Sequence, residues 1–316
     1  MNSLLKTLSG LAAVGGAGIG YASLIERNAF TLRRFSVPVL PVGSRPLRVL
    51  HLSDLHLMPN QQRKIEWVRG LAALHPDLVI DTGDNIAHRD SVPALLEAME
   101  PLREFPGVFV LGSNDYFAPT LKNPALYLTP WHRSGTGTTS RLPTDDLVKG
   151  LMAGGWEDIT HQRAYLTVAG SELEFVGVDD AHLDYDRYAE VAGPADPSVA
   201  LTIGVTHAPY QRVLDAMTAD GAGLVIAGHT HGGQLALPFH GALVTNCDLD
   251  TSRAKGVSRW WPGADRTPST FAPDDAAWMH VSAGLGTSPF APVRFACRPE
   301  ATLLTLTPRD LPLTPR

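Results

Sequence analysis

The 316-residue sequence predicts an α/β fold, and three observations support this prediction. Short, nearly continuous apolar runs, such as 77–80 and 224–227, give way to glycine and polar residues, which is typical of strands in a sheet covered on both faces. Segments with helical apolar spacing separate these runs. With 44% hydrophobic and 18% charged residues the chain can bury a large core, which excludes wholesale disorder.

The N-terminal segment, residues 1–26, is predicted to be a hydrophobic anchor or signal segment. No charged residue lies between Lys6 and Glu26, and the stretch is long enough to cross a bilayer although it is only weakly apolar. A signal sequence and a loosely packed helix are the alternative interpretations. We expect a membrane-associated protein with an uncleaved anchor. Basic residues flank the segment on both sides, so the side of the membrane stays open.

Residues 27–45 are predicted to be a linker, because three prolines within 35–47 favour an extended chain. Residues 46–308 follow as one α/β domain. Apolar β-rich runs predict its strands at 47–53, 77–80, 108–111, 174–178, 201–206, 224–227, 278–282 and 302–306. Helical spacing predicts helices at 60–74, 91–105, 147–153 and 211–219. The second helix has Pro93 in its first turn, and the third follows the N-cap residue Thr144.

Five short polar segments lie where apolar runs end, and their side chains are suited to metal binding. They are Asp54-Leu55-His56, Gly83-Asp84-Asn85, Gly112-Ser113-Asn114-Asp115, His207 and Gly228–Gln234. The ends of strands in an α/β sheet meet in the crevice where ligands bind, so we expect these segments to converge. Their carboxylate, amide and imidazole groups suit Mn, Fe or Zn ions. Each segment alone is also compatible with an ordinary turn, an N-cap or a buried histidine, but the ordered set indicates a metal site.

The spacing within the segments suggests how the metals are held. Asp54 and His56 are two residues apart, so on an extended chain both side chains point to the same side, and His229 and His231 repeat this spacing. A carboxylate such as Asp84 can bridge two cations. Two ions about 3.5–4 Å apart can clamp the attacking and leaving oxygens, and they lower the pKa of bound water so that hydroxide is available near neutral pH.

The ordered segments resemble the motifs D-x-H, G-D, G-N-H-D/E, H and G-H-x-H of the calcineurin-like metallophosphoesterase superfamily. The resemblance covers residues 46–308, which we therefore expect to be a metallophosphoesterase domain, and it implies a four-layer sandwich of two mixed β-sheets flanked by helices. It also implies two divalent metal ions. One would be held by Asp54, His56, Asp84 and His231, and the other by Asp84, His207, His229 and an amide of the third segment.

The C-terminal part of the sequence resembles a narrower bacterial branch of this superfamily. The features concerned are the glycine-rich stretch 228–234, Ser282-Ala283-Gly284-Leu285-Gly286, Pro292-Val293-Arg294-Phe295 and Pro299-Glu300. That branch is often attached to membranes, and it includes enzymes that cleave the pyrophosphate of UDP-2,3-diacylglucosamine alongside broader phosphodiesterases. The resemblance implies a lipid-linked or nucleotide-linked phosphate as substrate.

The third segment departs from the family pattern. Where the family has a ligand Asn followed by a catalytic His, this chain has Ser113 and Asn114. Either Ser113 holds the second metal weakly, or a shift of one residue makes Asn114 the ligand, and we favour Asn114 because a neutral hydroxyl is a poor ligand. Asn114, Asp115 and Asp84 are the predicted catalytic residues, with Asp115 orienting the loop. General acid help is commonly worth about 10²–10⁴ in rate. Either another imidazole supplies it, for which the candidates are His88, His132 and His182, or the enzyme prefers esters with good leaving groups.

Other segments have two interpretations each. The long insertion Phe117–Pro143 carries Lys122, His132, Arg133 and Arg141, and it is predicted to be either a binding loop or a solvated loop. Trp260 and Trp261, within the basic stretch 253–266, suit a lipid interface or a core, of which we favour the core. Asp179 and Asp180 end a strand, so they either reach the site or make a turn.

We expect a dinuclear hydrolase of phosphoester or pyrophosphate bonds that uses metal-bound hydroxide near a membrane. Its substrate would be a phosphorylated small molecule or a lipid-linked phosphate. The alternative is a non-catalytic, metal-containing module that binds a phosphorylated lipid or a membrane partner. The net charge of −6 argues against general nucleic-acid binding. Two cysteines do not make a disulfide scaffold, so the redox compartment stays open.

Overall fold

The apolar runs of the sequence form two mixed sheets, as seen in a computed structural model that describes residues 13, 15–121 and 140–310. The strands of the first sheet are β1 (Thr31–Leu40), β2 (Leu47–Leu52), β3 (Leu78–Asp81), β4 (Gly107–Phe109), β5 (Glu157–Asp158) and β14 (Glu300–Pro308). They are arranged in the order β1-β14-β2-β3-β4-β5. All neighbours are parallel except β14 and β2.

The second sheet lies in the C-terminal half of the chain. Its strands are β6 (Gln162–Val168), β7 (Ser171–Gly177), β8 (Leu201–Val205), β9 (Leu224–Ala227), β12 (Gly256–Trp260) and β13 (Ala277–Val281). Their order is β12-β13-β9-β8-β7-β6, with antiparallel strands at both edges. A separate small hairpin pairs β10 (Ala236–Leu237) with β11 (Gly241–Ala242).

Helices cover the outer faces of both sheets. The α-helices are α1 (Gln62–Gly70), α2 (Val92–Met99), α3 (Ser113–Tyr116), α4 (Thr144–Ala153) and α5 (Gln211–Ala219). Helices α1, α2 and α4 pack on the first sheet, and α5 packs on the second. The helix predicted at 91–105 changes to a 3₁₀ helix at Glu100, because Pro101 has no N–H to continue the α-helical ladder.

A third apolar layer lies between the two sheets. Val49 and Ile80 of the first sheet pack with Phe175 and Ile203 of the second, and all four side chains are fully buried. The molecule therefore has four layers, with helices, two mixed sheets and a further helix in succession. This arrangement confirms the predicted fold class, including the two-sheet detail that the family resemblance implied.

The segment predicted as a linker contains an unpredicted strand. Residues Thr31–Leu40 are extended, as the prolines suggested, but they pair in parallel with β14 from Thr31 to Leu40. The buried side chains of Val37 and Val39 join the layer between the sheets. Pro38 is tolerated because β1 is an edge strand, where a missing N–H leaves no neighbour unpaired.

The predicted membrane-associated localisation through an N-terminal anchor is wrong for the residues that the structure describes. Among them no helix is long and apolar enough to cross a membrane. Residues 15–20 are helical, but a π-helical turn at Tyr21–Ile25 and a 3₁₀ turn at Glu26–Asn28 follow directly. Residues 1–12 and 14 of the predicted segment lie outside the described residues.

Two other predicted segments are placed as follows. Residues 122–139 of the long insertion, including Lys122, His132 and Arg133, lie outside the described residues. The two ends of this insertion meet, since Phe117 forms a β-bridge with Arg141.

Trp260 is fully buried against α5 and donates from Nε1 to Asp215 Oδ1 at 2.9 Å, which agrees with the core interpretation.

The packing of Phe175 leads to a stability prediction. Phe175→Ala should lower the free energy of unfolding by about 3–5 kcal/mol, because it opens a cavity between the two sheets. Phe271→Ala is a matched control, since that ring is 73% exposed, and its effect should stay within about 0.5 kcal/mol. Urea unfolding followed by circular dichroism measures both. Equal losses in the two variants would contradict the buried position of Phe175.

Candidate metal centre

The five polar segments converge at one edge of the sandwich. Asp54 follows β2, Asp84 follows β3, and Asn114 lies in α3 directly after β4. The second sheet contributes His207 after β8, and both His229 and His231 after β9. Because the carboxyl ends of parallel strands share one edge of a sheet, and the two sheets face each other, these side chains meet.

Asp84 lies at the centre of the site. Its Oδ2 atom is 3.4 Å from His56 Nε2, and its Oδ1 atom is 3.6 Å from His207 Nε2. The backbone N–H of Asn114 donates to Asp84 Oδ1 at 2.6 Å, and the Asn114 side-chain amide donates to Oδ2 at 2.9 Å. Each carboxylate oxygen therefore faces a different imidazole.

Asp54 also lies between two groups of side chains. Its Oδ1 atom is 3.5 Å from His231 Nε2, which in turn is 3.2 Å from His56 Nε2. Two sets of possible ligand atoms lie within 4.8 Å of one another, one formed by Asp54, His56 and His231, the other by Asp54, Asp84 and His207. Asp54 is common to both sets. His229 belongs to neither, although its ring centroid is 5.2 Å from that of His207.

These distances fit metal coordination. Two ligand atoms that bind one ion at about 2.0–2.2 Å lie about 3–3.5 Å apart in tetrahedral or octahedral geometry, which is close to the separations observed. Asp54 Oδ1 and His207 Nε2 are also buried without a hydrogen-bond partner among the described residues. Because buried polar atoms are normally paired, this pattern supports a cation as their missing partner.

Backbone carbonyls orient two of the imidazoles. His207 Nδ1 lies 2.7 Å from Thr82 O, and His229 Nε2 lies 3.2 Å from Asn246 O. A carbonyl only accepts, so these nitrogens carry the proton in the neutral rings. The lone pair is then on Nε2 of His207 and on Nδ1 of His229. Such a hydrogen bond on the far nitrogen is the usual support of a metal-binding histidine.

The backbone at the site is strained in a consistent way. Asp54, His56, Asp84, His229 and His231 all have φ between +40° and +69°. This left-handed region is uncommon outside glycine, and residues held there cluster at functional sites. The expectation that Asp54 and His56 share one side of an extended chain is therefore wrong. Left-handed backbone at both residues, rather than a regular strand, brings them together.

Asp115 ties the third segment to the second. Its carboxylate accepts hydrogen bonds from the backbone N–H groups of Asp84 at 2.8 Å, Asn85 at 2.8 Å and Gly112 at 3.0 Å. Asp115 is fully buried and lies under the loop that carries Asp84. The predicted orienting role agrees with these three contacts.

The site is rich in negative charge. Burial alone would lower the pKa of His207, but the carboxylates of Asp84, Asp180 and Asp54 outweigh it and raise that pKa to about 9. Burial alone would raise the pKa of Asp84, but His207 and His56 hold it well below its usual range. Burial raises the pKa of Asp54 to about 6, with His207 opposing the shift and Asp84 adding to it. A bound cation would relieve the repulsion between the carboxylates.

Two cationic residues that the sequence did not single out as functional brace the site. Arg294 is fully buried and donates to the carbonyls of Ala283 at 2.7 Å and Gly286 at 2.7 Å. Burial, His56 and Arg294 together lower the pKa of His231, which keeps its ring neutral as metal binding requires. Lys64 Nζ donates to Leu55 O at 2.7 Å and so holds the turn between Asp54 and His56. In the sequence, Arg294 stood out only as part of the pattern Pro292–Phe295, which gave it no role.

Of the imidazoles proposed to replace the family's catalytic histidine, His182 lies beside the centre. Its ring centroid is 4.6 Å from that of His229, and its Nδ1 atom is 3.1 Å from the Tyr210 hydroxyl. His88 is instead 43% exposed and sits 3.7 Å from Asp90. His132 lies outside the described residues. Asp180, which the sequence left between a site and a turn role, is buried and accepts from the His182 N–H at 2.9 Å.

Comparison with known proteins identifies the family. The model of the calcineurin-like phosphoesterase family matches residues 47–233, which is more than half of the chain, so the chain belongs to this family. The uncharacterized metallophosphoesterase YkuE of Bacillus subtilis (strain 168) is 25% identical over 319 residues, which cover 96% of each chain. Phosphodiesterase YaeI of Escherichia coli (strain K12) is 23% identical over 297 residues, covering 92% of this chain and 93% of that one.

A solved structure is also similar. The crystal structure of TT1561 from Thermus thermophilus aligns with a TM-score of 0.39 and 12% identity, over 76% of this chain and 91% of that chain. The family and its relatives make this protein a phosphoesterase. The converging carboxylates and imidazoles indicate that it depends on divalent metal ions.

The third segment generates a prediction about its two candidate ligands. The side-chain amide of Asn114 reaches Asp84, whereas the Ser113 hydroxyl lies 3.3 Å from the Asn114 amide. Asn114→Ala should therefore weaken Mn²⁺ binding by about tenfold or more, while Ser113→Ala should change it less than about threefold. Calorimetric titration of metal-stripped protein measures both. The reverse ranking would make Ser113 the ligand.

Proposed function

We propose that this member of the calcineurin-like phosphoesterase family hydrolyses phosphoesters with two divalent ions. The first ion would be held by Asp54, His56, Asp84 and His231. The second would be held by Asp84, His207, His229 and Asn114. The observation that carries this proposal is the position of Asp84, since its two oxygens face His56 on one side and His207 on the other. A carboxylate placed in this way is suited to bridge two cations.

The protein side chains would prepare this chemistry before substrate arrives. When bound, the ions would lower the pKa of a water molecule and offset the negative charge of the phosphate. Asp115 fixes the loop of Asp84 through three backbone hydrogen bonds. Arg294 lies 3.3 Å from Nδ1 of the His231 ring, and Lys64 donates to the backbone carbonyl between Asp54 and His56. The reacting groups thus sit on a rigid frame, which limits the reorganisation that the reaction requires.

We propose a phosphodiester in a small molecule as the first substrate class to test. Support comes from one relative, YaeI of Escherichia coli, which is a phosphodiesterase. The pyrophosphate bond of a nucleotide-linked lipid, such as UDP-2,3-diacylglucosamine, is the second class, and it rests on the C-terminal pattern that includes Arg294. The alternative of a non-catalytic binding module has no support, because the chain belongs to a family of phosphoesterases and one relative is a phosphodiesterase. We propose residues 46–308 as the catalytic domain, to which β1 adds an edge strand.

The bridging role of Asp84 generates an activity prediction. Asp84→Asn should lower the Mn²⁺-dependent hydrolysis of bis-p-nitrophenyl phosphate by about 100-fold or more, because the neutral amide cannot bridge two cations. Asp90→Asn is the control, since that side chain is 73% exposed, and it should keep full turnover. Release of p-nitrophenol from metal-stripped protein after addition of Mn²⁺ measures the rates. Full turnover by Asp84→Asn would exclude the bridging role.

His182 is proposed to contact the phosphate group, in place of the family's third-segment histidine. Its ring lies against that of His229 and is half-buried, whereas His229 is buried. His182→Ala should lower kcat/KM by about 10²–10³, the usual effect of losing one hydrogen-bond donor to developing charge, without changing the Mn²⁺ stoichiometry. His88→Ala is the matched control and should behave like the parent enzyme. Loss of metal from His182→Ala would instead show that His182 only positions His229.

A further inference from the structure

A row of buried polar side chains crosses the interface between the two sheets beneath the metal centre. His280 on β13 and His51 on β2 face each other with their Nδ1 atoms 2.9 Å apart. His51 Nε2 then lies 2.9 Å from Thr82 Oγ1, and Thr82 donates to Ser53 Oγ at 2.7 Å. Ser53 donates to Asp54 Oδ2 at 2.5 Å. The row therefore joins a histidine of the second sheet to a proposed ligand on the first.

The hydrogen bond from Ser53 to Asp54 fixes the direction of every other hydrogen bond in the row. An ionised Asp54 only accepts, so Ser53 must donate to it and must accept from Thr82. Thr82 has then used its only proton, and it must accept from Nε2–H of His51. A neutral His51 with its proton on Nε2 accepts at Nδ1, so His280 must donate from Nδ1–H. All protons in the row thus point toward Asp54.

Two further observations agree with this direction. His280 with its proton on Nδ1 has only a lone pair on Nε2, and that atom is buried without a partner among the described residues. Burial lowers the pKa of His280 to about 3, and burial together with His280 lowers the pKa of His51, so both rings are neutral. Gly228 also leaves room for the hydrogen bond between Ser53 and Asp54, because a Cβ at residue 228 would lie 1.8 Å from Ser53 Oγ.

We infer that His280, His51, Thr82 and Ser53 are positioning residues that set which oxygen of Asp54 is offered to a metal ion. Oδ2 accepts from Ser53 and also from the backbone N–H of His229 at 3.0 Å. Oδ1 has no hydrogen bond from any residue that the structure describes, and it lies 3.5 Å from His231 Nε2. The carboxylate is thereby prevented from rotating or from turning both oxygens toward one ion.

The burial of the row supports a role at the metal site rather than in packing alone. Both imidazoles are fully buried inside the apolar layer between the sheets, where unpaired polar groups are costly. A pair of apolar residues would fill the same space without that cost. Donors aligned in one direction also polarise one another, which strengthens the last hydrogen bond to Asp54. The inference rests on the proposed function only in taking Asp54 as a metal ligand.

The test removes one hydroxyl group from the row and leaves the shape of the core unchanged. Thr82→Val should weaken Mn²⁺ binding by about 10–100-fold, the usual effect of losing an outer partner of a ligand. Thr302→Val is the matched control, because Thr302 is fully buried on β14, opposite His51 of β2, and its hydroxyl has no partner among the described residues. Thr82→Ser restores the hydroxyl and should recover the affinity. Equal affinities for the Thr82→Val and Thr302→Val proteins would overturn the inference.

A second measurement is independent of metal binding and of catalysis. Nitrogen-15 NMR of the metal-free protein should show neutral rings with the proton on Nε2 for His51 and on Nδ1 for His280. The opposite tautomers, or a charged ring, would overturn the inference whatever the enzyme does. If the tautomers are as stated but the parent protein binds no divalent metal, the proposed function fails while the direction of the row stands.

Discussion

The mutual repulsion of two buried carboxylates is the constraint on which the rest of the structure depends. Asp54 and Asp84 have almost no exposed surface, and each lies against imidazoles rather than water. Burying one unpaired charge is costly, and burying two like charges together is more so. The surrounding protein accordingly directs hydrogen bonds to them, from Ser53 and the His229 N–H to Asp54, and from Asn114 to Asp84. The site is held in an arrangement that is unfavourable without positive charge at its centre.

The same constraint explains the unusual backbone. A regular strand or helix would spread these side chains along an element, whereas left-handed backbone at Asp54, Asp84 and His229 directs them to a common point. Glycine is needed where main chains approach each other most closely. A Cβ on Gly83 would lie 2.4 Å from the backbone nitrogen of Gly112, so no larger residue fits at that position. Strain at these left-handed residues is balanced by the extensive packing of the four layers behind them.

Sequence reasoning found the parts of the site that have a repeated chemical signature. The seven side chains proposed as ligands stand after apolar strands. The ends of these apolar runs located the segments, and the resemblance to the family's motifs implied the individual ligands. Sequence reasoning assigned no role to Arg294 or His51, because an isolated polar residue inside a strand or loop carries no sign of its partner. The partner of His51 is His280, which lies 229 residues further along the chain. The strand β1 was missed because its prolines weaken the usual strand pattern, and only pairing with β14 makes it regular. The anchor was predicted only from the length of the segment without charged residues. That length does not distinguish a continuous helix from one that breaks into short turns.

The position of β14 has a consequence for the order of folding. This strand, Glu300–Pro308, lies between β1 and β2, so it fills a gap between strands that were synthesised more than 200 residues earlier. Until residue 308 has left the ribosome, the inner edges of β1 and β2 have no partner in the finished sheet. Such long-range pairing is slow, and open strand edges associate readily with other chains. The nascent enzyme is therefore exposed to aggregation until β14 has been synthesised, and its first sheet is completed only by this late pairing.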